Sequence, residues 1–319
     1  MATYNGEKFL RAQLNSLLHQ TYPNLEIIIS DDNSTDNTWQ ILQEYTCYPQ
    51  IKIIRNKVNL GFIKNFEKAA IHAKGDFIAF CDQDDIWMPE KIAALYNAIG
   101  SHSLVYSDSI LIDEEGNDMQ KSLSDFRPLQ NIYDVSSLAF FNVVSGHTML
   151  VKKEVLQAAL PLPAGIEYHD WFIAVEATRQ NGCVYLDKKL TYYRQHARTC
   201  TTTIQCKNKK SRSLAIRYTH YSLKLKWLAL LKNNCTTAQQ RLLTQLYYLY
   251  KQNTQTAFNF PLFFFLLKNQ KILYRFTNKN WLSRIIDIRK WARGERAIAG
   301  QLEERPFAIQ FNKTITTHY

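Results

Sequence analysis

Twice between residues 25 and 91 a short apolar run stops abruptly in a group of carboxylates and gives way to a helical pattern. Residues 25–30 (LEIIIS) run into Asp31, Asp32, Asn33, Ser34 and Asp36, followed by a helical stretch over about 37–45. Residues 77–81 run into Asp82, Asp84 and Asp85, after which Pro89 and Glu90 open a helix. Proline suits a first-turn position, and an acid suits the positive helix end. A third strand-like run, 51–55, lies between them, then a turn at Asn59, Leu60 and Gly61. Phe62, Phe66, Ala69, Ala70 and Ala73 next mark a helix that stops at Gly75. Apolar runs this short read as buried strands. Strands alternating with helices predict an α/β fold with a parallel sheet and crossover helices. The carboxylates then lie at the carboxyl ends of strands, where open α/β sheets bind ligands.

The stretch GDFIAFCDQDDIWMPEK, 75–91, carries the strongest chemical signal. Asp82 and Asp84 are two apart, so in extended chain they share a side and can reach one cation. Hard oxygen ligands suit Mg²⁺ or Mn²⁺, which bridge to phosphates. A calcium loop is excluded because Trp87 stands where that loop needs glycine. A solvated acidic loop is the plain alternative for a bare D-x-D.

Around this stretch the chain reads as follows. Residues 8–20 form an amphipathic helix on Leu10, Leu14, Leu17 and Leu18, and 104–107 are strand-like. Residues 111–131 read as a polar, irregular insertion. A strand over 147–152 leads to a short helix ending at Ala159. A loop with Pro161, Pro163 and Gly165 delivers Tyr168, His169, Asp170 and Trp171 to a helix over 171–180. Two short strands, 183–186 and 190–193, lead to Arg194, Gln195 and His196. The opening residues MATYNG resemble the end of a strand entering a helix. They predict an apolar upstream extension that would pair beside Ile27, Ile28 and Ile29.

Charge divides the chain. Residues 1–206 hold 18 Lys+Arg against 24 Asp+Glu, a balance of −6, while 207–319 hold 21 against 4, a balance of +17. The break near CKNKKSR, 206–212, predicts a boundary between a catalytic domain, 1–206, and a helical, basic C-terminal region, 207–319. Such asymmetry suits a polyanion or an anionic membrane surface. The apolar run FNFPLFFFLL at 258–267 is too short to span a bilayer. Basic residues interleaved with Trp281 and Trp291 suit helices lying on one. Packing of the apolar faces on the catalytic domain is the plain alternative. No run of 18 apolar residues and no signal peptide is visible, and the six cysteines form no C-x-x-C pair. These features predict a cytoplasmic protein, peripheral at the inner face of the cell membrane, without zinc or redox motifs.

Four segments stand in one order: ATYNG at 2–6, SDDNSTD at 30–36, CDQDD at 81–85 and HDW at 169–171. NLGFIKNFEKA at 59–69 fits between the second and third. Over about residues 1–200 the chain thereby resembles family 2 glycosyltransferases of the GT-A fold. The DQDDIW and YRQH segments are most similar to those of bacterial polysaccharide enzymes, rhamnosyltransferases among them. The resemblance implies a GT-A-type parallel or mixed sheet flanked by helices. It implies that Thr3, Tyr4 and Asp32 line a nucleotide base pocket and that Lys64 and Asn65 face the donor. It gives Asp82 and Asp84 the metal on the donor diphosphate, makes His196 a ligand of that metal or of the diphosphate, and leaves Asp85 to orient its neighbours. Asp170 becomes the general base, while His147 and His169 are weaker candidates for the ligand role of His196. Helix capping is the rival role for Asp170; at Asp32 that role belongs more naturally to Asn33 or Ser34.

The expected activity is inverting, metal-dependent transfer of a sugar to a surface-polysaccharide or lipid-linked acceptor. The donor is first dTDP-rhamnose, then a UDP-hexose. A nucleotidyltransferase would want a glycine-rich phosphate loop, and none is visible. A nucleic-acid-binding protein on a sugar-nucleotide fold is the non-enzymatic rival, and nucleic acid is not the expected partner.

Overall fold

In the computed structural model, which describes residues 1–196, 214–235 and 237–296, the apolar runs of the first two hundred residues become the strands of two sheets. The chain divides into two units, one of residues 1–196 with 276–278, the other of 197–275 with 279–319. The boundary expected at 206–212 lies outside the described residues.

The first unit opens with β1 (Ala2–Thr3), α1 (Leu10–Leu18), β2 (Ile27–Asp31), α2 (Thr38–Glu44), β3 (Ile51–Arg55) and α3 (Phe62–Ile71). The strands pair in parallel in the order β1-β2-β3. All five residues of β2 are buried, which explains an uninterrupted apolar run rather than an alternating one. Leu10, Leu14 and Leu17 of α1 bury their stripe among Ile27, Ile29, Ile41, Leu42 and Trp87. Each such side chain contributes about 1.5–3 kcal/mol of burial. A small apolar groove lies between Ile28, Phe66, Ala69, Ala73 and Ile78, and the buried amino terminus donates to Ile28 O at 2.7 Å.

There follow β4 (Phe77–Ala79), β5 (Ile86–Trp87), α4 (Lys91–Ile99), β6 (Leu104–Ile112), β7 (Asp118–Ser122), β8 (Met149–Lys152), α5 (Lys153–Ala159), α6 (His169–Gln180) and β9 (Cys183–Arg194). They form a mixed sheet in the order β4-β8-β6-β9-β5, with β7 paired to β6. Only β6 and β9 run parallel within it.

Four local expectations are corrected. Residues 111–131 begin with the end of β6 and a hairpin to β7: β6, buried almost throughout, runs on to Ile112, and the polar residues 113–117 turn the chain into β7. The two strands expected over 183–193 are one, β9, held along β6 despite a register shift. The helix expected to begin at Trp171 begins at His169. Neither Asn33 nor Ser34 caps a helix: α2 begins at Thr38, and Asn33 takes a left-handed backbone with φ 61°.

The second unit is helical: α7 (Leu214–Asn233), α8 (Thr237–Lys251), α9 (Phe260–Lys268), α10 (Gln270–Leu273) and α11 (Trp281–Ala292). Leu225, Leu228, Leu231, Leu243, Leu246, Leu262 and Leu266 are buried. Among the described residues no helix is long and apolar enough to cross a membrane.

Candidate active site

The loop between β4 and β5 holds the carboxylates, and three other segments close on it. Gln83 bridges to the end of β1: Tyr4 N–H donates to its Oε1 at 2.8 Å, and its Nε2 donates to Tyr4 O at 3.0 Å. Gly6 permits this, since a Cβ there would sit 2.2 Å from the Gln83 Oε1. Arg194, at the end of β9, grips the same loop. Its Nε donates to Asp84 O at 2.9 Å and its N–H to Asp85 Oδ1 at 3.1 Å.

Asp85 is completely buried, and its Oδ2 has no hydrogen-bond partner among the described residues. His147 Nδ1 stands 4.0 Å from that oxygen and 3.9 Å from Asp82 Oδ2. These contacts are too long for hydrogen bonds, yet all three ligand atoms lie within 4.8 Å of one another. Ser109 Oγ occupies the other ring nitrogen of His147 at 3.0 Å, which leaves Nδ1 to the cluster. Burial, with help from Lys91 and Arg127, pushes His147 well below its ordinary pKa, so it offers a neutral imidazole. Burial and then Asp84 raise the carboxyl groups of both Asp82 and Asp85, Asp82 to about 7. The Asp82 side chain is 41% exposed, so solvent softens that rise. Lys91, fully buried beneath, is drawn down to about 7 by burial. It donates to His147 O at 2.5 Å and Thr191 Oγ1 at 2.8 Å. An orphaned carboxylate oxygen, a second carboxylate and a neutral imidazole fit a divalent cation.

The grouping differs from the one expected. Asp82 clusters with Asp85 and His147, whereas Asp84 pairs with His196, Oδ2 to Nε2 at 2.8 Å. No spacing rule links Asp85 to a histidine 62 positions on; the antiparallel β4–β8 pairing sets the loop after β4 beside the residues before β8.

Asp170 stands in the first turn of α6, where an acid suits the helix dipole. Its Oδ1 accepts from Asn142 Nδ2 at 2.9 Å and from Trp171 N–H at 2.6 Å; its Oδ2 accepts from Gly146 N–H at 2.8 Å. Burial nevertheless raises its pKa to about 6. Its charge is felt at Asp82, whose rise it increases. Arg127 donates to Asn142 O at 2.7 Å and so holds the segment that holds Asp170. His169 is instead a packing element: its ring stacks on Phe66 at 4.3 Å, and burial lowers it to about 3.

The residues expected around the donor are largely engaged within the fold. Asp32, 2% exposed, accepts from Leu60 N–H at 2.8 Å, Gly61 N–H at 2.9 Å and Asn56 Nδ2 at 2.7 Å. It thereby anchors the start of α3. Asn65 uses both amide protons on Thr3 O at 3.2 Å and Ser30 O at 2.9 Å. Lys64 pairs with Glu67 at 2.7 Å. Thr3 is buried, and Tyr4 is 45% exposed. Asn142 and Arg127 join the site unforeseen, while Asp85, expected only to orient its neighbours, and His147, a weaker ligand candidate, stand together with Asp82.

Residues 1–160 match the model of the family described as Glycosyl transferase family 2. The dTDP-rhamnosyl transferase RfbG of Shigella flexneri is 35% identical over 212 residues, 61% of this chain and 71% of that protein. The UDP-Glc:alpha-D-GlcNAc-diphosphoundecaprenol beta-1,3-glucosyltransferase WfaP of Escherichia coli is 30% identical over 198 residues, 62% of this chain and 76% of that protein. The solved structure of S. aureus TarS 1-349 in complex with UDP-GlcNAc superposes with a TM-score of 0.60 at 17% identity, over 98% of this chain and 96% of that one. At that identity the likeness establishes a shared GT-A glycosyltransferase fold.

Proposed function

Since the chain belongs to glycosyl transferase family 2, we propose that this glycosyltransferase is metal-dependent and inverting, and that it extends a surface or lipid-linked glycan. The observation that carries the proposal is one juxtaposition. An orphaned Asp85 oxygen, Asp82 and the free nitrogen of His147 gather where the charge of Asp170 is felt.

Asp82, Asp85 and His147 would hold the cation, Mg²⁺ or Mn²⁺, with the Asp84–His196 pair beside them. A divalent cation there would neutralise charge on the departing diphosphate. Asp170 takes the proton of the acceptor hydroxyl as that oxygen bonds to the anomeric carbon. The bond from that carbon to the diphosphate oxygen breaks, and its electron pair leaves with the nucleoside diphosphate. One displacement without an enzyme nucleophile inverts the anomeric carbon. Thr3, Tyr4 and Asp32 would border the base pocket, while Asn65 serves it by fixing α3 against β1 and β2 and Lys64, paired with Glu67 along α3, would face the donor.

The names of RfbG and WfaP support dTDP-rhamnose first and a UDP-hexose second. The WfaP acceptor, a diphosphoundecaprenol, supports a lipid-linked glycan at an anionic membrane surface. The test is nucleoside diphosphate release by the purified chain from dTDP-rhamnose, UDP-glucose and UDP-GlcNAc. Release from a dTDP- or UDP-sugar that needs Mn²⁺ or Mg²⁺ and stops with EDTA is expected. No release from any sugar nucleotide, or release indifferent to EDTA, would overturn the proposal.

A further inference from the structure

The helical unit exposes apolar side chains that its own core leaves unused. On α9, Leu262 and Leu266 are fully buried, while Phe260 and Phe264, one turn apart, are 62% and 63% exposed. On α11, Ile288 and Ala292 are buried, while Trp281, Leu282 and Ile286 are 67%, 55% and 55% exposed. The two helices belong to one packed pair. Asn259 N–H, at the start of α9, donates to Ala292 O, at the end of α11, at 2.8 Å. Scattered single exposed apolar residues are ordinary, but here five large ones fall on two helices that pack together.

The charge of the same segment points to the partner. Residues 258–296 hold nine Lys+Arg and two Asp+Glu. One of those acids, Asp287, is taken by Lys279 and by Lys290 at 3.2 Å. Exposed Lys268 closes α9, and exposed Arg289, Lys290 and Arg293 close α11. A second copy of the chain would bring the same positive charge against itself. Single-stranded nucleic acid would use stacking rings, but Leu282 and Ile286 have none. Aromatic and aliphatic side chains beside a basic fringe match a bilayer boundary, where rings lie at headgroup level and Lys and Arg meet anionic lipid.

We propose that the exposed faces of α9 and α11 dock on an anionic lipid bilayer. Phe260, Phe264, Trp281, Leu282 and Ile286 enter the headgroup boundary, and Lys268, Arg289, Lys290 and Arg293 hold anionic headgroups. Within the Phe263–Phe265 run only Phe264 is exposed, and its two neighbours are half-buried. Trp291 is likewise half-buried, under the Lys224 ammonium at 4.1 Å.

The experiment is flotation of the full chain with vesicles of phosphatidylcholine, with and without phosphatidylglycerol. The parent is expected to float with the anionic vesicles, to bind the neutral ones poorly, and to be released by high salt. Phe264→Ser with Ile286→Ser should weaken attachment about tenfold or more. Arg289→Gln, Lys290→Gln and Arg293→Gln together should weaken it on the order of 10²-fold. Both variants should keep the parent melting temperature and the parent rate of nucleoside diphosphate release, so failure of docking is separable from failure of the proposed chemistry. Equal binding to both vesicles, binding to neither, or parent-like binding by the variants would overturn the proposal. So would a dimer that covers this face in solution, or tight binding to DNA without vesicle binding.

Discussion

Asp170 accepts three hydrogen bonds and still has its pKa raised to about 6, because burial outweighs its donors. A general base works only when ionised, so turnover should fall as pH drops through about 6 and level off above it. Asn142 acts through Asp170 as a positioning residue. Asn142→Ala removes a donor that favours the carboxylate, so the acid limb of the rate profile should move upward in pH, with kcat falling more than KM changes. A parent-like profile in that variant would show that Asn142 does not tune the base. If Asp82, Asp85 and His147 hold the cation as proposed, Asp85→Asn and His147→Ala should each weaken Mn²⁺ binding, read by calorimetry, by about tenfold or more. Parent-like Mn²⁺ binding in both would place the cation elsewhere. At this scale the sequence brought out Asp82, Asp84 and Asp170 as candidates, because each follows an apolar strand-like run or stands at a helix start in a short motif. Asp85 and His147 were obscure as partners because their meeting depends on pairing between distant strands. Asn142 lies in a polar stretch with no local signature.

Elements were legible where one periodicity ruled. The apolar run of β2 and the leucine spacing of α1 left little choice, and both elements lie within a few residues of their expected places. The β6–β7 hairpin was hidden for two reasons. Buried on almost every side, β6 shows no alternation, while β7 is an edge strand, mostly exposed and polar in composition. The helix α3 starts at Phe62, where its apolar spacing put it, but what anchors that start was not legible. Residues 59–61 read as a plain turn, but Asp32 holds them through the N–H groups of Leu60 and Gly61. Asp32→Ala leaves those donors and Asn56 without their acceptor, which should cost about 1–3 kcal/mol. The check is a chemical-denaturation midpoint. An unchanged midpoint would mean that water replaces the carboxylate without loss.

At the scale of the whole molecule, charge was the most legible property. A basic segment of +17 follows an acidic one of −6, and the helical character of the basic part was evident from its leucine spacing. Which aromatic residues would be exposed was not evident, because Phe260 and Phe264 are separated from buried Leu262 and Leu266 only by helical phase. The proposed donor site and the proposed lipid-docking helices lie in different units, so each proposal can be tested without the other. The claim joining the chemistry is that Asp170 is the base beside a metal held by Asp82, Asp85 and His147. Its most direct test is single-turnover transfer with Mn²⁺ by the parent and by Asp170→Asn, which keeps the shape of the carboxylate but cannot take a proton. The variant should bind donor like the parent and transfer sugar about 10²–10⁴-fold more slowly. Transfer at the parent rate would contradict it.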